Sequence, residues 1–352
     1  MVTAPFPYFG CKARAASLVW ARFGDVRNYV EPFAGSAAML LSAPDGKRVE
    51  TINDADGFVA NFWRAVSNDP EAVAHHADYP CSEVDLEARH AWLVNRAERL
   101  RWQLEDPDFY DAKIAGWWVW GACNWIGSGW CEGKGPHMTN GANLYDSRKL
   151  PHLSAGQGIK RKLPHLSAGR GINRQLPHLS AGRGINRQLP HLGDAGRGER
   201  SAFILEWMAA LATRLRDTRV TCGDWQRVVK ESVTTRHGLT GLFLDPPYTL
   251  GKMDYAAGGV GTELPMRVQA WCADNGDNPK LRIALCGHSG EHDALLSHGW
   301  FIGRWKARKG YAVTEEAVAN SAGETIWFSP HCLNPDEGGA GTQSPLIPAN
   351  SG

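Results

Sequence analysis

The chain has 352 residues, 38 lysines and arginines against 37 aspartates and glutamates, and 43% hydrophobic residues. This length suits one large domain or two of moderate size, and the composition excludes a mainly disordered, collagen-like or coiled-coil chain. A net charge of +1 argues, on its own, against a uniformly basic nucleic-acid binder. No apolar run approaches the roughly 18 residues of a membrane helix, and no signal peptide is predicted.

The first α/β-like region begins at residue 28. Residues 28–41 predict a strand, a turn of small residues and a helix. Small residues at Ala34, Gly35 and Ser36 allow a ligand to approach the backbone at the carboxyl end of a strand, where open α/β sheets bind cofactors. Packing of the turn explains them equally well.

Asp54 ends the second predicted strand, VETIND, about 20 residues after the glycine turn. An acid at this place is suited to bind the hydroxyl groups of a ribose. Asp54 can alternatively be the N-cap of the helix that follows.

Tryptophans are concentrated before residue 131, in the segment GWWVWGACNWIGSGW. Core packing explains Trp117, Trp118 and Trp120 at least as well as ligand binding does, because they are so closely spaced. Trp125 and Trp130 lie among glycines and are better candidates for contact with a partner.

Residues 149–200 consist of four consecutive 13-residue units, each containing Leu-Pro-His-Leu. Proline and glycine in every unit exclude a continuous helix, and we predict an irregular or extended segment. The block holds ten basic and two acidic residues, or +8, whereas the rest of the chain holds 28 basic and 35 acidic residues, or −7. The net charge therefore conceals an acidic globule with a basic strip.

The second α/β-like region, residues 201–332, contains the most specific motif. Asp245, Pro246, Pro247 and Tyr248 directly follow the apolar strand Gly-Leu-Phe-Leu. Two prolines fix φ twice and remove two N–H donors. A carboxylate beside a rigid carbonyl can accept both hydrogens of an amino group, and the tyrosine offers a flat face to a planar ring. An ordinary proline turn is the less favoured interpretation.

Strands alternate with helices in both regions, which predicts a mostly parallel sheet with crossover helices, closed by a C-terminal antiparallel hairpin. We expect residues 1–75 and 201–332 to form one Rossmann-like α/β catalytic domain. Residues 76–200, repeats included, are expected to form a helical or irregular insert, and 333–352 a disordered tail.

Five motifs together resemble the Dam-type (alpha-class) DNA adenine-N6 methyltransferases, in order and spacing. They are Tyr8-Phe9-Gly10-Cys11-Lys12, Glu31-Pro32-Phe33-Ala34-Gly35-Ser36-Ala37, Asn53-Asp54, Cys222-Gly223-Asp224-Trp225 and Asp245-Pro246-Pro247-Tyr248. The resemblance covers about residues 5–330, apart from the repeats. The chain departs from the family at two small residues, Cys11 and Ala37, where the family usually has glycine.

The resemblance implies a Rossmann-like class I methyltransferase fold, S-adenosylmethionine as cofactor and double-stranded DNA as partner. Eight scattered cysteines without a C-x-x-C pair favour reduced cytoplasmic thiols and no metal site. We expect a bacterial or phage-encoded protein that is monomeric and not associated with a membrane. Asp54 would bind the ribose of the cofactor and Asp224 its adenine amino group. The remaining cofactor-binding residues would be Tyr8, Lys12, Phe33, Ala34, Gly35, Ser36, Trp225 and Asp245. Without the resemblance, Lys12 would be interpreted as a solvated surface lysine.

The same resemblance implies a mechanism. The target adenine is flipped out of the duplex, Asp245 and Pro246 accept its amino hydrogens, Pro247 keeps the turn rigid and Tyr248 stacks on the ring. Asn124, Trp125 and Trp130 belong to the DNA-contacting insert. The repeats lie outside the resemblance, but their +8 charge suggests that they follow the DNA backbone. Their basic side chains include Lys160, Arg161, Lys162, Arg170, Arg174, Arg183 and Arg187.

The sequence leaves three questions open. The repeats are equally well explained as a passive expansion of a surface loop. The motif around Asp245 suits any exocyclic amine, so methylation of cytosine N4 or of adenine in RNA remains an alternative. A non-catalytic nucleic-acid-binding protein with a relic methyltransferase fold is a further one.

Overall fold

The computed structural model describes residues 2–6, 8, 12–125, 130–131, 199–247, 263–303 and 324–334. Seven strands form one sheet in the order β3-β2-β1-β4-β5-β7-β6. They are β1 (Asn28–Glu31), β2 (Val49–Asp54), β3 (Thr218–Cys222), β4 (Thr240–Leu244), β5 (Leu281–His288), β6 (Phe301–Gly303) and β7 (Glu324–Phe328).

The first five strands are parallel, whereas β7 is antiparallel to both β5 and β6. The predicted fold class, a mostly parallel Rossmann-like sheet with a C-terminal antiparallel part, is confirmed. Chain order reverses between β1 and β4, because β2 and β3 lie on one side of β1 and β4 on the other. Ligands of open α/β sheets bind at the carboxyl ends of the strands beside such a reversal.

Helices cover both faces of the sheet, so the central strands β1, β4 and β5 are buried on both sides, whereas β3 at the edge is only partly buried. The described helices are α1 (Ala16–Phe23), α2 (Ala38–Leu41), α3 (Gly57–Asn68), α4 (Pro70–Ala77), α5 (Glu83–Val94), α6 (Ala97–Gln103), α7 (Ala112–Asn124), α8 (Glu199–Leu215) and α9 (Glu263–Asn275).

Alternate residues of the central strands point into two different hydrophobic clusters. Phe243 and Ala284 pack with the aromatic residues of α3 and α7, and Leu242 and Ile283 pack on the opposite face. The buried tryptophans Trp118 and Trp120 lie in α7, which packs against α3, α4 and α5. Burial of Trp118 and Trp120 favours core packing, one of the two interpretations that the sequence leaves open for Trp117, Trp118 and Trp120, whereas Trp117 is only half-buried.

Side-chain caps fix the beginnings of the helices that surround the site. Asp56, Asp69, Ser82 and Asp111 each accept a backbone N–H in the first turn of α3, α4, α5 and α7. The cap of α3 is thus Asp56 and not Asp54, so the alternative interpretation of Asp54 as a helix cap is wrong.

Only part of the predicted C-terminal tail and of the predicted insert lies within the described residues. Leu333, the first residue of the predicted tail, donates its N–H to the carbonyl of Arg22 at 2.8 Å, and Arg22 donates back to the Leu333 carbonyl at 3.2 Å. Residues 335–352 and residues 149–198 of the repeats lie outside the described residues, whereas the last two repeat residues, Glu199 and Arg200, begin α8 and are helical rather than irregular. Among the helices that the structure describes, none has the length and apolar character needed to cross a membrane.

Candidate active site

The carboxyl ends of β1, β2 and β3 are tied together by the side chain of Asn53. Its Nδ2 donates to the carbonyl of Pro32 at 3.0 Å and to that of Gly223 at 2.9 Å, and its Oδ1 accepts from the hydroxyl of Thr221 at 2.9 Å. Asn53 is buried, so these bonds are shielded from water. The loops after β1 and β3 are thereby held at fixed positions beside the end of β2.

Asp54 lies within this frame, half-buried at the end of β2. Its Oδ2 accepts the N–H of Gly35 at 2.8 Å and its Oδ1 accepts the N–H of Asp56 at 2.8 Å. Burial, together with the neighbouring charge of Asp56, raises the pKa of Asp54 to about 7. Asp54 therefore braces the turn after β1 while it borders the edge where the ribose is predicted to bind.

The turn after β1 has the left-handed backbone that its small residues favour. Gly35 has φ +46° and Ala37 has φ +48°. A Cβ added to Gly35 would lie 2.3 Å from the ring of Tyr8, which covers the turn. Ala37, where the family usually has glycine, adopts a conformation that costs about 1–2 kcal/mol for an L-residue. Trp63 secures the turn, because its Nε1 donates to the Gly35 carbonyl at 2.9 Å.

Replacing Gly35 by alanine is expected to weaken cofactor binding about 10-fold. The new methyl group must displace the ring of Tyr8, and the left-handed backbone adds about 1–2 kcal/mol of strain. Titration calorimetry with S-adenosylhomocysteine measures the effect. Gly46→Ala is the control, since Gly46 lies outside the site and has no positive φ. Equal affinity of Gly35→Ala and the wild type would contradict this account of the turn.

Two aromatic rings line the neighbouring part of the edge. Trp225 is buried, and its ring lies 6.1 Å from that of Phe33, tilted by 32°. The Trp225 Nε1 has no hydrogen-bond partner among the described residues. Asp224 is exposed beside it and accepts the N–H of Gln226 at 2.8 Å. The predicted cofactor-binding residues after β1 and β3 are thus brought together, with the flat faces and acids that a nucleoside requires.

Asp245 directly follows β4 and contacts Lys12. Lys12 Nζ lies 3.2 Å from Asp245 Oδ2 and 3.7 Å from Glu324 Oε1, and the lysine side chain is 4% exposed. Burial alone would lower the pKa of Lys12, but Asp245 and then Cys286 and Glu324 raise it above its ordinary value. The interpretation of Lys12 as a solvated surface lysine is therefore wrong. Pro246 is buried and Pro247 half-buried, whereas Tyr248 lies outside the described residues.

Glu31 is a buried carboxyl group beneath the site. Its Oε2 accepts the Tyr29 hydroxyl at 2.9 Å and the N–H of Leu40 at 3.2 Å. Burial raises the pKa of Glu31 to about 8, although both hydrogen bonds oppose this shift. Glu31 and Asn53 both belong to the motifs that carry the resemblance, but no sequence signal assigns either of them a bracing role.

The raised pKa of Glu31 predicts that the protein loses stability as pH rises from about 4.5 to about 8. The folded protein holds a proton on Glu31 between about pH 4.5 and 8, where the unfolded chain has released it. The free energy of unfolding should therefore fall as pH rises through this window, by up to about 1.4 kcal/mol per pH unit from this group. Chemical denaturation of the wild type and of Glu31→Gln at pH 5 to 8 measures the slope. Equal slopes would contradict the prediction.

Trp125 and Trp130, the predicted DNA-contacting tryptophans, form an aromatic cluster with His90. The rings of Trp125 and His90 are stacked at 4.9 Å, and Trp130 lies 5.3 Å from both. Trp130 donates to the Trp118 carbonyl at 3.0 Å, and its ring passes so close to Gly121 that a Cβ there would lie at 1.8 Å. Both tryptophans are half-buried. Their contact with DNA stays a prediction.

Asn124, at the end of α7, donates to the Trp120 carbonyl at 2.6 Å. Its DNA contact also stays a prediction. The seven basic residues of the repeats that are predicted to follow the DNA backbone lie outside the described residues, so their role keeps its basis in sequence alone. They are Lys160, Arg161, Lys162, Arg170, Arg174, Arg183 and Arg187.

Comparison with known proteins adds one decisive finding. Residues 8–104 match the model of the family described as D12 class N6 adenine-specific DNA methyltransferase. This match supports an adenine-specific DNA methyltransferase. The match covers somewhat more than a quarter of its length, and that part contains β1, β2 and the braces around Gly35 and Asp54. No curated protein matches the chain.

Proposed function

We propose that this DNA adenine methyltransferase transfers a methyl group from S-adenosylmethionine to the N6 amino group of an adenine flipped out of double-stranded DNA. The observation that carries the proposal is the position of Asp245. It follows β4, next to the strand whose turn carries Gly35, so a carboxylate suited to the base lies at the same edge of the sheet as the residues suited to a nucleoside.

Three features of this edge of the sheet support the proposed cofactor. Gly35 allows the Tyr8 ring to cover the turn, Asp54 supplies a carboxylate suited to ribose hydroxyls, and Trp225 with Phe33 offers an aromatic wall. Bound S-adenosylmethionine would supply the methyl group as an activated sulfonium. The residues of the chain bind and orient it, and no covalent bond to the enzyme is required.

Asp245 and the Pro246 carbonyl would accept the two amino hydrogens of the flipped adenine. These two hydrogen bonds would direct the nitrogen lone pair toward the methyl group that bound S-adenosylmethionine would supply. The proton that the methylated nitrogen loses would pass to Asp245, which already accepts its hydrogen bond, and from there to water. Catalysis of this kind depends on positioning and preorganised charge. Tyr248 would stack on the ring.

The proposal is tested by two binding measurements. Titration calorimetry should show one S-adenosylmethionine bound per chain, and Trp225→Ala should lower that affinity. A duplex with 2-aminopurine at the target position should gain fluorescence when the protein binds, because the base leaves the stack. Phe203→Ala, on the exposed surface of α8, is the control. Unchanged 2-aminopurine fluorescence at saturation would refute base flipping.

A second proposal concerns the +8 charge of residues 149–200, which supports contact with DNA phosphates. Deleting this block should flatten the dependence of log K on log salt concentration by about 0.9 for each phosphate that the block neutralises. Fluorescence anisotropy at several salt concentrations measures the slope. An unchanged slope would instead favour passive expansion of a loop.

A further inference from the structure

Glu324 is the first residue of β7 and is far in sequence from every motif that carries the family resemblance. Because β7 is antiparallel to β5, its amino end lies at the sheet edge where the parallel strands end, and Glu324 pairs with His288. The side chain of Glu324 is 20% exposed and lies 3.7 Å from Lys12 Nζ. The hairpin thus brings an acid to the site from its far side.

Lys12 links this acid to Asp245. Its buried ammonium group lies between two carboxylates, with Asp245 at 3.2 Å and Glu324 at 3.7 Å. A buried ammonium group is stable only when it is paired and hydrogen bonded. One carboxylate would leave the long lysine chain free to rotate about that contact, whereas two carboxylates from different strands fix the direction from which it approaches Asp245.

We propose that Glu324 is a positioning residue for methyl transfer: it holds Lys12 against Asp245 and so fixes the orientation of the carboxylate that accepts the amino hydrogens. The inference rests on the proposed function of Asp245. It assigns Lys12 to the alignment of the base-binding carboxylate, a different role from the cofactor contact that the family resemblance implies.

The charged groups around Glu324 couple it to Lys12 and Asp245. Lys12, Asp245 and His288 are the charged or titratable groups that act on Glu324 most strongly. Burial, followed by Asp245, raises its pKa, and Lys12 and His288 oppose the rise. Lys12 thus favours the charged form of Glu324 against the effect of burial, and both carboxylates lie within 3.7 Å of the buried ammonium group.

The test compares steady-state methyl transfer by the full chain with changes at Glu324. Glu324→Gln should lower kcat by about 10-fold to 100-fold, while KM for S-adenosylmethionine changes less than about 2-fold. Glu324→Asp keeps the negative charge on a side chain that is one methylene group shorter. This variant should retain a higher kcat than Glu324→Gln does. Glu206→Gln, on the exposed face of α8, is the matched control and should have wild-type kcat.

A double-mutant cycle separates positioning from mere support of the fold. Lys12→Met should lower kcat strongly, and adding Glu324→Gln should cause no further loss, because Glu324 acts only through Lys12. If the double variant loses kcat by the product of the two single-variant losses, the inference is overturned. A wild-type kcat in Glu324→Gln would also overturn it. If Glu324→Gln fails to fold, the test uses Glu324→Asp, provided that its unfolding midpoint equals that of the wild type. A kcat lower than that of the wild type is then expected, and an equal kcat would overturn the inference.

Failure of the inference is distinguishable from failure of the proposed function. A wild-type protein that transfers no methyl group from S-adenosylmethionine would refute the proposed function. Full transfer by both the wild type and Glu324→Gln would refute only the role of Glu324.

Discussion

Replacing Asp245 by alanine is expected to lower kcat for methyl transfer by about 10³-fold, while DNA binding remains measurable. Two effects add. The amino group of the target base loses a charged acceptor, and removing one such preorganised group costs about 10²–10³-fold. In addition, Lys12 loses the carboxylate at 3.2 Å and keeps the more distant one of Glu324. Transfer of labelled methyl groups at saturating DNA measures kcat.

The control for this variant is Asp277→Ala, because the Asp277 side chain is 99% exposed and remote from the sheet edge. Thermal unfolding of both variants checks that they fold. Since Asp245→Ala leaves Lys12 buried with fewer partners, its unfolding midpoint should be lower than that of the control. Residual transfer above about a tenth of the wild-type rate would contradict the role assigned to Asp245.

Replacing Asp54 by alanine is expected to raise the dissociation constant for S-adenosylmethionine by about 10-fold to 150-fold, the range for loss of a charged hydrogen bond of about 1.5–3 kcal/mol. The carboxylate would be lost as acceptor for the ribose, and the N–H of Gly35 would lose its brace at 2.8 Å. Titration calorimetry measures the constant.

The raised pKa of Asp54 predicts that the affinity for S-adenosylmethionine also depends on pH. Only the ionised carboxylate accepts two ribose hydroxyl bonds, and burial raises its pKa to about 7. The wild-type affinity for the cofactor should therefore weaken as pH falls below about 7, and Asp54→Ala should lack this decrease. Asp45→Ala, an exposed aspartate in the loop before β2, is the control. Wild-type affinity in Asp54→Ala at pH 8 would exclude the assigned contact.

The sheet and the placement of the motifs could be predicted because both depend on local patterns. Apolar runs that end near Gly35, Asp54 or Asp245 predict buried parallel strands, and parallel strands bring their carboxyl ends to one edge. The tryptophans of α7 follow the same local logic, since dense large apolar residues in a helix must be buried.

The braces of the site could not be predicted, because they join positions far apart in sequence. Asn53 connects the loop after β1 with that after β3, and nothing in the neighbouring residues distinguishes it from an ordinary strand-end amide. Lys12 is of a residue type that is usually exposed, and only the assembled sheet buries it between Asp245 and Glu324. Trp130 lies on α7 because Gly121 admits its ring, a contact visible only in three dimensions.

The central claim is that the protein methylates adenine N6 in DNA with S-adenosylmethionine as donor. The most direct measurement incubates the protein with double-stranded DNA and the methyl-labelled cofactor, digests the DNA to nucleosides and separates them. Asp245→Ala serves as the inactive reference. Label is expected in N6-methyldeoxyadenosine with the wild type and not with Asp245→Ala. Label in N4-methyldeoxycytidine, or no label in any nucleoside from a folded protein that binds the cofactor, would contradict it.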